Sequence, residues 1–273
     1  MRLFVFGIGY TAGRVAAMAG GAVASTTRDG REGTLRFEDE AAVRGALAGA
    51  THVLSSVPPQ DGRDPVLARY RDGLGGKWLG YLSSTGVYGD VGGAWVDESA
   101  PIGAGRRSAR AVADAAWLAL GARVFRLPGI YGPGRSAIDR VLSGTAHRVH
   151  ASGQVFSRCY VDDIAIGVLA GFQAPAGAYN LADDLPADQN EVVAHAAALL
   201  GLPPPPFVPL SSLSAVAQGF YAENRRVANG KAKRVLGWRL RYSDYRLGLR
   251  AVSAITSPVA HTNAPATASG DQR

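Results

Sequence analysis

A single cysteine, Cys159, excludes an internal disulfide and supplies too few thiols for a zinc site, so a reducing cytoplasm is the expected compartment. The five histidines add no metal centre to this picture: His147 and His150 lie close together but without accompanying acids. Lysine is almost missing. Of 29 basic residues only Lys77, Lys231 and Lys233 are lysines, and the rest are arginines. No apolar run approaches the roughly 20 residues of a membrane span, so no membrane partner is expected. The short run after Arg2 leads into a glycine turn and reads as a first strand, not as a signal peptide. Repeats at solenoid periods are also absent.

Acids are outnumbered, 22 against 29, and the imbalance is local. Residues 225–250 hold nine basic side chains and one acid, Asp244. That is the pattern of a solvated basic face or of a lobe that favours anionic ligands. Without an aromatic platform or a nucleic-acid motif, no nucleic-acid partner is expected. The chain is 47% apolar and only 19% charged, a globular composition, and 273 residues suffice for a large domain with a smaller lobe.

What is present begins with RLFVFGIGYTAG at 2–13. An apolar run reaches Gly7, glycines recur at Gly9 and Gly13, and Tyr10 stands at the head of a segment able to form a helix. A strand feeding a glycine turn and then a helix presents backbone N–H groups at a positive helix end, a site for a dinucleotide pyrophosphate. Gly7 would permit the tight turn, Gly9 the approach of a phosphate, and Gly13 a close fit of helix on strand. The spacing G-x-G-x-x-x-G is one residue off the commonest fingerprint, and a glycine turn without ligand is its alternative reading.

The first half alternates strands (2–6, 22–26, 33–37, 51–57, 77–83, 122–127) with helices (11–19, 40–49, 64–73, 106–120). Alternation of this kind predicts an α/β fold of Rossmann type, a doubly wound parallel sheet covered on both faces. Two strands end in small polar residues, Ser55-Ser56 before Pro58 and Ser83-Ser84-Thr85 before a glycine. The carboxyl ends of parallel strands are where such sheets hold ligands, although Ser and Thr also end strands where nothing binds. At the end of the second strand, Thr27 and Arg28 stand where a dinucleotide site meets the adenosine ribose. A hydroxyl and a guanidinium there suit the 2′-phosphate of NADP, with NAD the alternative. Beyond 128 the pattern loosens. We expect a short helix in RSAIDRVLSGT, a helix after YVDD capped by Asp162 or Asp163, a helix ended by Gly201, and two final helices around a Gly-Trp turn. The expected division is a core of 1–135 plus about 156–180, a smaller C-terminal substrate lobe of 136–155 plus 181–256, and a disordered tail at 257–273.

The glycine turn, SSTGVYG (83–89), FRLPGIYGPG (125–134) and YVDDIAIGV (160–168) occur in this order. Together they resemble the extended short-chain dehydrogenase/reductases, the NAD(P)-dependent epimerase/dehydratase group. The closing segment NRRVANGKAKRVLGWRLRYSDYRLGL is similar to that group's last segment, so the resemblance covers about 1–250. It implies a Rossmann core, a nicotinamide dinucleotide, and chemistry by a Ser/Thr acting with a Tyr-x-x-x-Lys pair. Ser84 matches the Ser/Thr. The pair is missing, since no lysine lies between Lys77 and Lys231 and no tyrosine between Tyr88 and Tyr131. Matching Asp114 to the acid usual in that helix places Arg106 at the tyrosine position and Arg110 at the lysine position. An arginine stays protonated and cannot replace a phenol, whereas Arg110 can still hold the nicotinamide ribose. Losing a general acid costs about 10²–10⁴ in rate. Tyr88 is then the first candidate for proton transfer and Tyr131 the second, each with loop packing as its plainer role.

Other departures bear on substrate. Thr85 and Gly86 stand where sugar-nucleotide dehydratases carry an acid pair, and Phe156 where epimerases place an arginine against a diphosphate. Arg158 lies two residues later with its direction left open, and Arg135 and Arg158 are candidate anion contacts. The sequence supports two readings. One is an atypical NAD(P)-dependent oxidoreductase or epimerase-like protein acting on a small polar substrate through Ser84, Tyr88 and Arg110. The other is an NADP(H)-binding regulatory or partner-binding protein without turnover. The sequence gives no indication of oligomeric state.

Overall fold

The structure, a computed structural model, describes residues 1–105, 108–151 and 153–256. Arg106 and the expected disordered tail at 257–273 lie outside the described residues. Seven parallel strands form the central sheet: β1 (Arg2–Phe6), β2 (Ala22–Thr27), β3 (Leu35–Arg36), β4 (His52–Ser55), β5 (Trp78–Ser84), β6 (Arg123–Leu127) and β7 (Gly177–Asn180). Their spatial order is β7-β6-β5-β4-β1-β2-β3. It reverses direction between β1 and β4, and at such a switch point the crevice for a ligand opens at the strand carboxyl ends.

Strand alternation sets the two cores. Leu3 and Val5 of β1 face one way, with Leu54 of β4 and Leu127 of β6, onto α1 (Tyr10–Met18) and α6 (Val161–Ala170). Phe4 and Phe6 face the other way, with Val53 and Tyr81, onto α2 (Glu40–Ala48), α3 (Pro65–Tyr70) and α4 (Ser108–Ala119). Asp64 caps α3 by accepting from the N–H groups of Val66 and Leu67. Its other carboxylate oxygen accepts from the indole of Trp117 at 2.8 Å, which fixes α3 against α4. A third cluster joins α5 (Ala137–Leu142), α7 (Gln189–Leu199) and α10 (Tyr245–Thr256), with Ile138, Val193 and Val252 fully buried. Two short helices, α8 (Ala215–Tyr221) and α9 (Gly230–Val235), complete the chain between α7 and α10. Among the described residues no helix is long and apolar enough to cross a membrane.

One expected cap is corrected. Residue Tyr160, not an aspartate, occupies the N-cap of α6, and no side chain caps that helix. Asp162 and Asp163 sit in its first turn, favourable for acids, and work outwards. Asp162 takes a two-pronged bond from Arg14 of α1. Asp163 accepts from the N–H groups of Arg241 and Tyr242 and so fastens the C-terminal segment to the core.

Candidate functional site

The glycine turn has the shape its spacing implies, for partly different reasons. At Gly7 φ is +77°, and a Cβ would lie 2.9 Å from Val57 Cγ2, so both conformation and space demand glycine. Ser56 Oγ donates to the Gly7 carbonyl, and Thr26 Oγ1 accepts from the Gly7 N–H, which pins the turn to β4 and β2. Gly9 is the N-cap of α1, and a Cβ there would meet nothing within 4 Å. It would project into an open cradle at the helix start, as a site for a phosphate requires. Gly13 differs from its expected role. A Cβ there meets only Ile8 Cγ1 at 3.9 Å, so close packing of helix on strand does not require this glycine.

Tyr10, the first residue of α1, donates to the Pro133 carbonyl at 3.1 Å, and the Arg135 guanidinium lies over its ring. The glycine turn and the loop after β6 are thereby locked side by side. Thr27 at the end of β2 is buried, its hydroxyl 2.7 Å from that of Thr34 and accepting from the Gly30 N–H. It shapes the loop that carries Arg28, whose side chain is exposed. Ser55 is fully buried with its hydroxyl unpartnered.

On the other side of Arg135 a cavity of ≈ 750 Å³ opens. Its floor is Ser84, Thr85 and Gly86 at the end of β5 together with residues 128–131 after β6, and its outer wall comes from α5, α7, α8 and α10. Ser84 Oγ accepts from the Gly86 N–H at 3.1 Å, which orients the hydroxyl and leaves its proton to donate into the cavity. The neighbouring Ser83 points to the opposite face, where it donates to Asp114 at 2.7 Å.

Tyr88 lies apart from this cavity. Its ring is buried, and its hydroxyl donates to Asn180 Oδ1 at 2.8 Å while accepting from Arg126 Nη1 at 3.0 Å. Burial, only partly offset by Arg126, pushes the phenol up to about 12. Arg126 in turn forms a two-pronged bond with Asp114, 3.1 Å from Nε and 2.9 Å from Nη2. Burial opposes its charge, but Asp114 and Tyr88 outweigh burial and raise its pKa. The network joins β5, β6, β7 and α4 beneath the strand ends, and in it Tyr88 is an anchor. Arg110 points elsewhere as well: Nη1 donates to the Tyr81 hydroxyl at 2.9 Å, and the residue does not line the cavity. Tyr131 lines the cavity, yet burial raises its pKa and its hydroxyl reaches only the Asp244 carbonyl, at 3.4 Å.

Arg158 turns inward. It is 6% exposed and lines the cavity, with Nη2 on the Ala187 carbonyl and Gln189 and with Nη1 unpartnered. Asp183 beside it is buried too: its N–H donates to the Arg158 carbonyl, and its Oδ2 is unpartnered. Burial pushes this carboxyl up to about 8 although Arg158 pulls it down. An acid whose folded pKa exceeds its unfolded value of 3.8 weakens the folded state as it ionises. The penalty is absent below about 3.8 and grows as pH rises towards about 8. Asp183→Asn should flatten the fall in thermal midpoint between about pH 5 and 8. Parallel pH profiles for the two proteins would show that the carboxyl titrates normally.

Sequence reasoning missed Phe220, Tyr221 and Tyr245 as cavity residues. They come from α8 and α10, and nothing in the short, weakly patterned segment of α8 signals the wall it forms.

No family model matches the chain. The fold is that of the extended short-chain dehydrogenase/reductases of the epimerase/dehydratase group. The human epimerase family protein SDR39U1, solved with NADPH, superposes with a TM-score of 0.73 at 17% identity over 93% of this chain and 99% of that one. Within that fold the chain belongs to one family with a functionally unknown conserved protein from Silicibacter pomeroyi, which is 41% identical over 93% of this chain and 98% of its own (TM-score 0.85). A curated relative, 3-diazoavenalumate denitrifying reductase from a Streptomyces species, is 31% identical over 137 residues. That stretch is 46% of this chain and 45% of the relative, less than half of either.

Proposed function

We propose that the chain is an NADP(H)-dependent oxidoreductase acting on a small substrate held in the cavity beside Ser84. The observation that carries this reading is the adjacency locked by Tyr10 and Arg135: a glycine turn open at a helix N-terminus on one side, a cavity reaching Ser84 on the other. When bound, the dinucleotide supplies or accepts a hydride at its nicotinamide ring. The chain's own residues do the rest. Gly7 and Gly9 with the first N–H groups of α1 would hold the pyrophosphate, and Thr27 would set the loop from which Arg28 meets a 2′-phosphate. Ser55 and Ser56 line the end of β4, and Ser84 would donate to the reacting atom of the substrate. Arg110, turned onto the Tyr81 hydroxyl, has no ribose contact in this reading. Residues 1–135 with about 156–180 serve as the cofactor core and the remainder as the substrate lobe.

Tyr88 has no proton-transfer role in this reading, because its hydroxyl is engaged and faces away from the cavity. In this reading the acceptor is one that needs little help from an enzyme-borne acid. The name of the Streptomyces relative, a denitrifying reductase, supports reduction over epimerisation. The locked Tyr88 favours the competing reading, a dinucleotide binder without turnover, while the cavity at Ser84 favours the enzyme. A screen of NADPH consumption against small carbonyl, conjugated-alkene and diazo acceptors decides between them. We expect turnover with at least one class. Tight NADPH binding with no consumption across the panel would leave the binder.

A further inference from the structure

The cavity beyond Ser84 holds a buried cation with no ion-pair partner among the described residues. Arg158 is 6% exposed, and its Nη1 makes no hydrogen bond. A buried guanidinium without an ion-pair partner weakens a fold, so folds rarely retain one that does nothing. The acid acting on it most strongly, Asp183, forms no ion pair with it among the described residues, and burial favours the neutral form of that carboxyl. Asp139, which also lines the cavity, is held in a capping box with Ser136, and Glu223 faces Arg225 at 3.0 Å.

We propose that Arg158 receives the carboxylate of a monoanionic, otherwise apolar substrate, and so sets the specificity of the reaction proposed above, on which this inference rests. With Nη2 held by Ala187 and Gln189, the unpartnered Nη1 is the group left to donate to one oxygen of a carboxylate. The atoms around it discriminate against phosphate. The Ala187 carbonyl is an acceptor, and it would repel a dianion that needs donors on every side. The walls between Arg158 and Ser84 suit a hydrocarbon or aromatic body. Ile130, Val155, Phe156 and Leu249 line them, and Phe156 packs edge-on against Tyr221 at 5.5 Å.

The test uses 3-phenylpropanoate and its uncharged amide, titrated calorimetrically into the full chain at neutral pH with inorganic phosphate as competitor. The acid should bind at least tenfold more tightly than the amide, and excess phosphate should not displace it. Arg158→Gln should bring the two ligands within about twofold of each other while NADPH affinity stays close to wild type and the thermal midpoint does not fall. Equal affinity of acid and amide for the wild-type chain would overturn the proposal whatever the variant does. So would displacement by phosphate, undiminished acid preference in Arg158→Gln, or no saturable binding of the acid. NADPH affinity is read on the same samples. A chain that binds NADPH but shows no acid preference keeps the oxidoreductase reading and loses this one; the converse result sinks the dinucleotide reading instead.

Discussion

Asp114→Ala should lower stability by roughly 3–5 kcal/mol, a large share of the 5–15 kcal/mol that holds a typical domain together. Asp114 is fully buried, accepts from Arg126 through both oxygens, and also accepts from Ser83. Removing it strands a guanidinium that is 3% exposed beneath the strand ends. Arg126 would keep only Tyr88 and the Glu98 carbonyl as partners. For a chain of this size the loss corresponds to a fall in thermal midpoint on the order of 10 °C. Because the penalty is that of an uncompensated charge, removing both members should cost less than removing one: Asp114→Leu with Arg126→Met should recover much of the loss. A loss below about 1 kcal/mol for Asp114→Ala would mean that solvent reaches the pair, and that the network does not fix the floor of the site.

The second large effect concerns chemistry. On an acceptor found by the NADPH screen, Ser84→Ala should reduce kcat by about 10²–10³, the usual cost of losing one preoriented donor to developing charge, with NADPH affinity unchanged. Tyr88→Phe should behave in the opposite way. It removes a buried hydroxyl on which Arg126 and Asn180 both depend, so it should destabilise by about 1–3 kcal/mol and leave kcat within a few-fold of wild type at temperatures where the variant is folded. If Tyr88→Phe abolishes turnover without loss of stability, the phenol is the proton-transfer group after all. If Ser84→Ala keeps full turnover, the assignment of Ser84 is wrong.

The two serine-rich strand ends and the glycine turn were legible because each is a local pattern: an apolar run, a small residue, a breaker. The doubly wound sheet follows from the same runs, and all of the first six strands lie within two residues of their expected bounds, with 33–37 shrinking to Leu35–Arg36. Tyr88 was not legible. Its motif placed it beside Ser84 in sequence, but its fate depends on Arg126 and Asn180, which lie 38 and 92 residues away and reach it only through the sheet. The direction of Arg158 was equally hidden. A strand of three residues, Arg158–Tyr160, has no periodicity from which to read a face, and burial there is decided by α7 and α10 packing over it. The aspartates of YVDD misled for a related reason. They stand where caps stand, but their partners, Arg14 and the backbone at 241–242, belong to distant elements. Gly13 fits a fingerprint by position, whereas the room around it shows that position alone does not establish need.

Calorimetric titration of the purified chain with NADPH and with NADH tests most directly whether a dinucleotide is held between the Gly7 turn and Arg28. The exposed guanidinium at the end of β2 should give NADPH the tighter binding. Arg28→Ala should remove about tenfold or more of that preference while leaving NADH affinity as it was. Saturable 1:1 binding with NADPH preferred and the preference lost in Arg28→Ala is the predicted result. Equal or tighter binding of NADH would contradict the assignment at Arg28, and no binding of either would contradict the account as a whole.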